Sequence, residues 1–556
     1  MVAALLRSLN SGVQDDRLLP HSSQPQIKMF LKAFIRAGRF TTYFTRLDFN
    51  LRPRLGGKFS LTIPRKGHLV SRLYMVTTMP DIAAAQTAAR AYCTTNGLTF
   101  AGPTFGWTNS LGHALLTEAT IDIGGSRCDR LDGQLLEVLD EFYTPLEKTT
   151  LMNRLLPRMD TGFTVGSFGL NATPTVATTP LPFWFSSGDS GLFLPIDAIQ
   201  ADSVTLNITF NAVNNLFVST AQVSPASSDT MSSGTNQKTS HDCVDLPGNI
   251  SATVTTTTTT ATNTIENYIP AGGDRYAPLA GSPFYYEDAV NGSPVYGLDG
   301  NPTVAKTVSV IPGITMPTTF SLGDTYVMAE YIYLDKPEAN QFRISDIHIP
   351  IPQHYLFDKL DTLALPRAKF PLKVPNPTRN LFFYLQRWET PGYNAPFLAT
   401  RDLSGGSVLT APWWPDATGL NVYGVGDYSP GFSTRESEPL ASLELVYEGK
   451  LSRYKTDSPS IFRSLIPSHE MRKSPWVNRY FYTLPFGLQH GFIPASLCSG
   501  EANLDKITNI DLLLNLRPNR GSINPTDVPR YIVNVWAQTY NILRVFGGRA
   551  GLLFAY

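Results

Sequence analysis

Three blocks of this 556-residue chain return, in the same order, in its second half. Phe59-x-Leu61-x-Ile63-Pro64, followed by an apolar run from Leu69, recurs as Phe370-x-Leu372-x-Val374-Pro375, followed by Leu381–Leu385. Gly191-Leu-Phe193-Leu-Pro195, shortly before Val204–Phe210, recurs as Gly491-Phe-Ile-Pro494 before Ile510–Leu516. Tyr326–Leu334 has its counterpart in Tyr531–Val545. A shared order of this kind means one domain built twice. The separation falls from roughly 310 residues at the first block to roughly 200 at the last, which is what a large insertion in the first copy produces.

The repeated blocks read as strands. Phe59–Ile63 and Val204–Phe210 alternate apolar and polar residues, and Leu69–Met79, Thr325–Leu334 and Tyr531–Val545 are longer β-branched and aromatic runs. Most are bounded by Pro, Gly or Asn, and Pro64 and Pro375, which cannot donate to a ladder, mark strand ends. Helical periodicity is sparse: clearest in Leu131–Phe142, where Leu135, Val138, Leu139 and Phe142 share a face, with Gln26–Ala37 a second candidate. The expected class is all-β, two β-sandwiches in tandem. Between Phe217 and Pro317 the texture changes to Ser, Thr, Gly, Asn and Pro, with an unbroken Thr255–Thr260. So long a segment reads as an external surface insertion in the first copy, with strands of its own or partly without order.

Composition narrows the function. Lys+Arg and Asp+Glu are 45 each, and charged residues are only 16% of the chain, against roughly 25% in ordinary soluble proteins. A chain of zero net charge has little electrostatic repulsion to oppose association, and it lacks the overall basic surface of a nucleic-acid coat. No run approaches the roughly 18 apolar residues of a membrane span. The opening residues are too short an apolar run for a signal peptide. Cys93, Cys128, Cys243 and Cys498 are widely spaced and suit neither a disulfide scaffold nor a zinc site.

The first 80 residues are the exception to neutrality, with thirteen Lys/Arg against three Asp/Glu. Arg36, Arg39, Arg46, Arg52, Arg54, Lys58, Arg65, Lys66 and Arg72 recur among strand formers. One reading is a surface for an anionic partner such as phospholipid headgroups or nucleic acid; the plainer one is a solvated face, which charge runs usually are, or one pairing with acidic residues of a neighbouring subunit. Phe40, Tyr43, Phe44 and Phe49, interleaved here, are expected in the core.

No catalytic set emerges. Gly188-Asp189-Ser190-Gly191 resembles a serine-protease nucleophile turn, but Leu192 follows it, and His21, His68 and His113 lack the context of the catalytic base. Gly56-Gly57-Lys58 lacks the spacing of a phosphate loop and reads as a turn into a strand. His348 and His469 sit in no metal-ligand pattern, so no metal or cofactor is expected. Of the Asn-x-Ser/Thr sequons at Asn171, Asn207, Asn249 and Asn291, only Asn249 and Asn291 lie where a glycan fits, and the missing signal peptide argues against its attachment. Trp388, Trp413 and Trp414 would serve an alternative reading, a tandem-sandwich carbohydrate-binding protein or glycosidase.

Several ordered blocks carry a resemblance. Gln24-Pro-Gln-Ile-Lys-Met-Phe30, Phe40-Thr-Thr-Tyr-Phe44, Ile63-Pro-Arg-Lys-Gly67, Leu111-Gly-His-Ala-Leu115 and Ile121-Asp-Ile-Gly-Gly125-Ser-Arg-Cys-Asp129 are followed by Tyr331-Ile-Tyr-Leu-Asp335 and by the ending Tyr540-Asn-Ile-Leu-Arg544-Val-Phe-Gly-Gly548-Arg-Ala-Gly-Leu552. Together they resemble the double jelly-roll major capsid proteins of nucleocytoplasmic large DNA viruses. Cys128 stands where that family has an aliphatic residue, and residues 390–440 depart from it. The resemblance implies an N-terminal arm (1–25), a first eight-stranded jelly roll (26–345, with the insertion at about 217–317) and a second (346–556). It implies a non-enzymatic shell subunit made in the host cytoplasm, whose homotrimers form pseudo-hexagonal capsomers. The implied partners are other copies, minor capsid proteins, an inner membrane near the basic N-terminal segment and a host surface at the insertion, without specific nucleic-acid recognition. A minor capsid or vertex protein of the same virus type is the alternative within the fold.

Overall fold

The computed structural model describes residues 39–81, 84–100, 104–158, 176–220, 254–258, 261–265, 281, 283–288, 294–296, 302–304, 307–315, 321–388, 396–397, 399, 401, 438–449, 451–475, 479–488, 500–518, 524–526 and 528–554. Sixteen of its strands fall into two sets of eight. The first set is β1 (Phe40–Asp48), β2 (Lys58–Thr62), β3 (Leu69–Thr78), β4 (Leu116–Ile123), β5 (Ser126–Leu131), β6 (Val176–Leu181), β7 (Val204–Phe210) and β8 (Thr325–Leu334). The second is β9 (Ile347–Leu356), β10 (Arg367–Leu372), β11 (Thr378–Arg387), β12 (Leu440–Tyr447), β13 (Leu451–Thr456), β14 (Phe481–Pro485), β15 (Ile510–Leu516) and β16 (Tyr531–Phe546).

Strand order makes the duplication explicit. The first set forms sheets β1-β8-β3-β6 and β2-β7-β4-β5; the second forms β9-β16-β11-β14 and β10-β15-β12-β13. Adding eight to every strand of one jelly roll generates the other. The sequence repeats fall on equivalent strands: β2 with β10, β3 with β11, β7 with β15, β8 with β16. The facing of the side chains agrees too, although the sequence-matched residues sit two positions apart in the pairing. Leu206 of β7 lies between Leu61 and Ile121, and Leu512 of β15 between Phe370 and Leu445. All six side chains are buried, so alternation puts one face of each of these strands into a sandwich core. Pro64 and Pro375 lie just beyond β2 and β10, where they cost no ladder bond.

Three helices matter to the architecture: α1 (Ala84–Thr95), α2 (Gly133–Tyr143) and α3 (Lys336–Ile344). α3 links β8 to β9, started by Asp335, whose carboxylate accepts the Lys336 N–H at 2.8 Å. Among the described residues no helix is long and apolar enough to cross a membrane. The expected helix Gln26–Ala37 lies outside the described residues.

The insertion lies between β7 and β8, where the falling repeat separation requires it. Its described parts are strands: Val254–Thr258, Ala261–Ile265, Pro283–Asp288 and Thr307–Thr315 join Thr99–Phe100 in a five-stranded sheet. Thr255–Thr258, from the polythreonine run, pairs antiparallel with Ala261–Thr264, as β-branched residues favour.

One expectation fails. Phe40 and Phe44 are not core residues; they are 66% and 54% exposed, while Tyr43 and Phe49 are half-buried. Alternation along β1 sends Phe44 to the outer face of its sheet, where its ring lies 6.4 Å from that of Tyr74, and no element of the described chain covers it.

Candidate functional site

The most densely built region is the seam where α2 of the first jelly roll meets the β9-β16-β11-β14 sheet of the second. The helix begins at Asp132, whose carboxylate accepts the Leu135 N–H and the Trp536 indole N–H, both at 2.8 Å. One side chain thus caps α2 and ties it to β16. Burial pushes the Asp132 carboxyl up, against the lowering effect of these two donors and of Arg130. Gly133 is required by close approach: a Cβ there would sit 2.2 Å from the His113 carbonyl oxygen.

The apolar stripe of α2 is Leu135, Val138, Leu139 and Phe142, as its periodicity indicates, and all four are buried. Burial of side chains of this size is worth about 1.5–3 kcal/mol each. At the C-terminal end, Phe142 and Tyr143 pack on Phe382 of β11, ring centroids 5.6 and 6.3 Å away. Beside them Gln134 reaches Gln386, and Tyr143 shares Asn380 and Gln538.

The polar side of α2 is buried as well. Glu137, Asp140 and Glu141 are each less than a tenth exposed, as are Arg158, Lys473 and Arg479. Glu137 is held by four groups: Arg158 and His113 at 2.6 Å on one oxygen, and Arg479 at 2.6 Å and the Ser110 hydroxyl at 3.0 Å on the other. Asp140 pairs with Arg158 at 2.5 Å and accepts from Thr144 at 2.6 Å. Glu141 bridges Arg479 at 2.9 Å and Lys473 at 3.2 Å. Three carboxylates meet three cations, so the cluster is close to neutral, the condition under which buried charges are tolerated. Burial by itself would raise the Glu137 carboxyl, but Arg158, Arg479 and His113 outweigh it and hold it well below its ordinary value; Asp140 moves down for the same reason, chiefly through Arg158. Lys473 and Arg479 lie between β13 and β14 of the second jelly roll, so the network fastens one domain to the other.

Other ties run alongside. His354 of β9 donates its N–H to Asp129 at 3.1 Å, and Gln353 donates to the Cys128 carbonyl. The Ala201 N–H donates to the Gly548 carbonyl at 2.8 Å, and the Ala550 N–H to Asp202 at 3.1 Å. The C-terminal motif thereby acquires a physical role, because its turn at Gly547–Gly548, both with positive φ, returns the chain against the first jelly roll. A single hydrophobic cluster runs through both sandwiches.

The residues weighed from sequence are dispersed. Gly188–Gly191 is a turn in which Asp189 accepts the Gly191 N–H at 3.0 Å. Gly56-Gly57 is the expected turn into β2. Asn207 lies within β7 and donates to Asp122 at 2.7 Å. His348 is exposed beside Asp346, and His469 is exposed. Cys93 and Cys128 are free and buried. Trp388 is exposed under the Arg530 guanidinium, 4.8 Å from its ring centroid. Asn171, Asn249, Asn291, Trp413 and Trp414 lie outside the described residues. Among those described, no group of three or more His, Cys, Asp or Glu could hold a metal ion.

The acidic side of α2 and its partners Arg158, Lys473 and Arg479 were not singled out from sequence. The only signal is Glu137, Asp140 and Glu141 at helical spacing, a pattern shared by any solvated helix face.

Comparison with known proteins agrees with this architecture. The family model described as "Major capsid protein N-terminus" matches residues 28–269. Among curated relatives, a major capsid protein of Pyramimonas orientalis virus is 29% identical over 213 residues, covering 38% of this chain and 47% of its own. A probable capsid protein of Acanthamoeba polyphaga mimivirus is 23% identical over 223 residues, 39% of each chain. The chain thus spans less than half the length of these relatives. Solved structures cover it almost entirely: PBCV-1 VP54 aligns over 95% of this chain and 100% of its own, with a TM-score of 0.58 at 18% identity. The Faustovirus major capsid protein aligns over 98% and 97%, with a TM-score of 0.56 at 11% identity. In sequence and in fold, the chain resembles the double jelly-roll major capsid proteins of large DNA viruses. The seam is the joint between the two jelly rolls of this fold.

Proposed function

We propose that this chain is the major capsid subunit of a large icosahedral DNA virus, a structural rather than catalytic protein whose copies close in threes into a pseudo-hexagonal capsomer. The observation that carries the reading is an inequality between equivalent sheets. In the second jelly roll the β9-β16-β11-β14 sheet is covered by α2. In the first, the outer face of β1-β8-β3-β6 presents Phe44, Tyr74, Val76, Tyr326 and Met328 half-buried or exposed. The element equivalent to α2 in the second jelly roll lies between β13 and β14, the helical segments Ile461–Leu465 and Ile466–Glu470, and Leu465 there is 54% exposed. A neighbouring copy placing this element on the open sheet would repeat between chains the contact α2 makes within one. Repeated three times, such a head-to-tail contact closes a ring of six jelly rolls.

We place the boundary between the jelly rolls at 345/346, just after α3, with an N-terminal arm at 1–25 and the surface insertion at about 217–317, facing the host. The basic N-terminal segment faces the inner membrane or minor capsid proteins. Part of its charge is used internally, since Arg46 pairs with Asp324 at 2.6 Å and Arg72 lies 3.7 Å from Glu330. Multi-angle light scattering tests the reading: a particle of three times 61.2 kDa is expected, burying on the order of 2,000–5,000 Å² at its contacts. A stable monomer at micromolar concentration would overturn it. Copy number in purified particles separates a major from a minor capsid role.

A further inference from the structure

A cavity of about 610 Å³ lies beside the seam, between α2, the turn Trp184–Ser190 and the second jelly roll. That volume falls within the roughly 300–1,000 Å³ of pockets that take small organic molecules. Its floor is apolar, formed by Leu136, Leu139, Met152, Pro182 and Phe183. Its polar lining is dominated by donors. Trp184 is 1% exposed, and its indole Nε1 is buried without a hydrogen-bond partner, as is the hydroxyl of Ser186; both residues line the cavity. Two guanidinium residues, the buried Arg379 and the exposed Arg472, line it too.

The carboxylates are otherwise engaged. Asp140 is paired with Arg158 and Thr144, and Asp189 accepts the Gly191 N–H. A buried donor with no acceptor costs about 1–3 kcal/mol, so an indole N–H left in this state beside a roomy apolar cavity favours a ligand carrying an acceptor. The guanidinium groups favour that acceptor being anionic.

We propose that this cavity binds an alkyl carboxylate of medium chain length, the chain on the apolar floor and the carboxylate among Trp184 Nε1, the Ser186 hydroxyl and the arginines. Because jelly rolls from both halves line it, an occupant would also brace the seam. The proposal does not depend on the shell-forming role.

Isothermal titration calorimetry of the full chain with decanoate, paired with thermal unfolding, tests this. One saturable site per chain is expected, with decanol at least tenfold weaker because it lacks the charge. Trp184→Phe, which deletes the N–H, and Arg472→Gln, an exposed position where misfolding is not a concern, should each weaken decanoate by about tenfold, the loss typical of one charge-assisted hydrogen bond. Absence of saturable binding, equal affinity for decanol, or unchanged affinity in Arg472→Gln would each overturn the proposal.

Discussion

The two large sheets of the molecule have the same strand order and opposite surroundings. Every residue of β11 is buried, whereas its equivalent β3 alternates, with Arg72, Tyr74, Val76 and Thr78 reaching the outer face. Phe382 and Trp536 of the second sheet are covered by α2, while Tyr74 and Tyr326 of the first are only half-buried. A duplicated fold needs its contacts duplicated too. One of the two equivalent contacts is made within the chain, and the other is not made by its described residues. The sealed sheet shows what a completed contact consists of, namely an apolar helix stripe, a shared cap and a buried ion network.

The largest way to break the contrast is to attack the network. Glu137→Ala leaves Arg158 and Arg479 buried with a partner removed, and a loss of about 3–5 kcal/mol is expected in urea unfolding, with the two jelly rolls ceasing to melt as one unit. Phe382→Ala, on the sealed sheet, should cost about 3–4 kcal/mol in the same measurement. Its positional counterpart on the open face, Tyr74→Ala, should cost the monomer about 1 kcal/mol or less, yet abolish assembly in light scattering. Equal monomer losses at the two sites would remove the contrast.

A smaller effect follows from acid. Glu137 and Asp140 both sit below their ordinary values in the folded chain, so on acidification the unfolded chain takes up protons first. Their contribution is fully present above the ordinary carboxylate range of about 4 to 4.5 and is lost as pH falls through the folded values. Stability measured from pH 6 down to 3 should therefore drop below about pH 4.5, and Glu137→Gln should flatten that slope. The last change is Asp132→Asn, which keeps one acceptor oxygen for the Leu135 N–H but replaces the oxygen used by the Trp536 N–H with an amide NH2, so it should cost about 1–3 kcal/mol. Because burial raises the Asp132 carboxyl, its ionised form opposes folding, and the substitution should steepen the acid-induced loss slightly.

Much of this was legible in the sequence, for physical reasons. Period-2 alternation locates β2 and β7 to within a residue, since a half-buried strand must alternate. The drift in repeat spacing places the insertion between β7 and β8, because chain length has to be accommodated somewhere. The apolar stripe of α2 follows from Leu135, Val138, Leu139 and Phe142. Its other side does not. Glu137, Asp140 and Glu141 look like a solvated face, and the cations that bury them, Lys473 and Arg479, are more than 300 residues away in sequence. Phe44 fails in the opposite sense: an aromatic residue in a strand reads as core, but what covers a sheet's outer face is a tertiary or quaternary matter. The protease-like quartet Gly188–Gly191 shows the same limit, since a turn sequence can match a nucleophile motif without bringing its partners together.

Cryo-electron microscopy of the purified assembly addresses the open sheet most directly. The account predicts a three-fold ring in which residues 461–470 of one copy lie over β3 and β8 of the next, with Tyr74 and Tyr326 enclosed. A map in which that face stays open to solvent, or is covered by the chain's own residues, would contradict it.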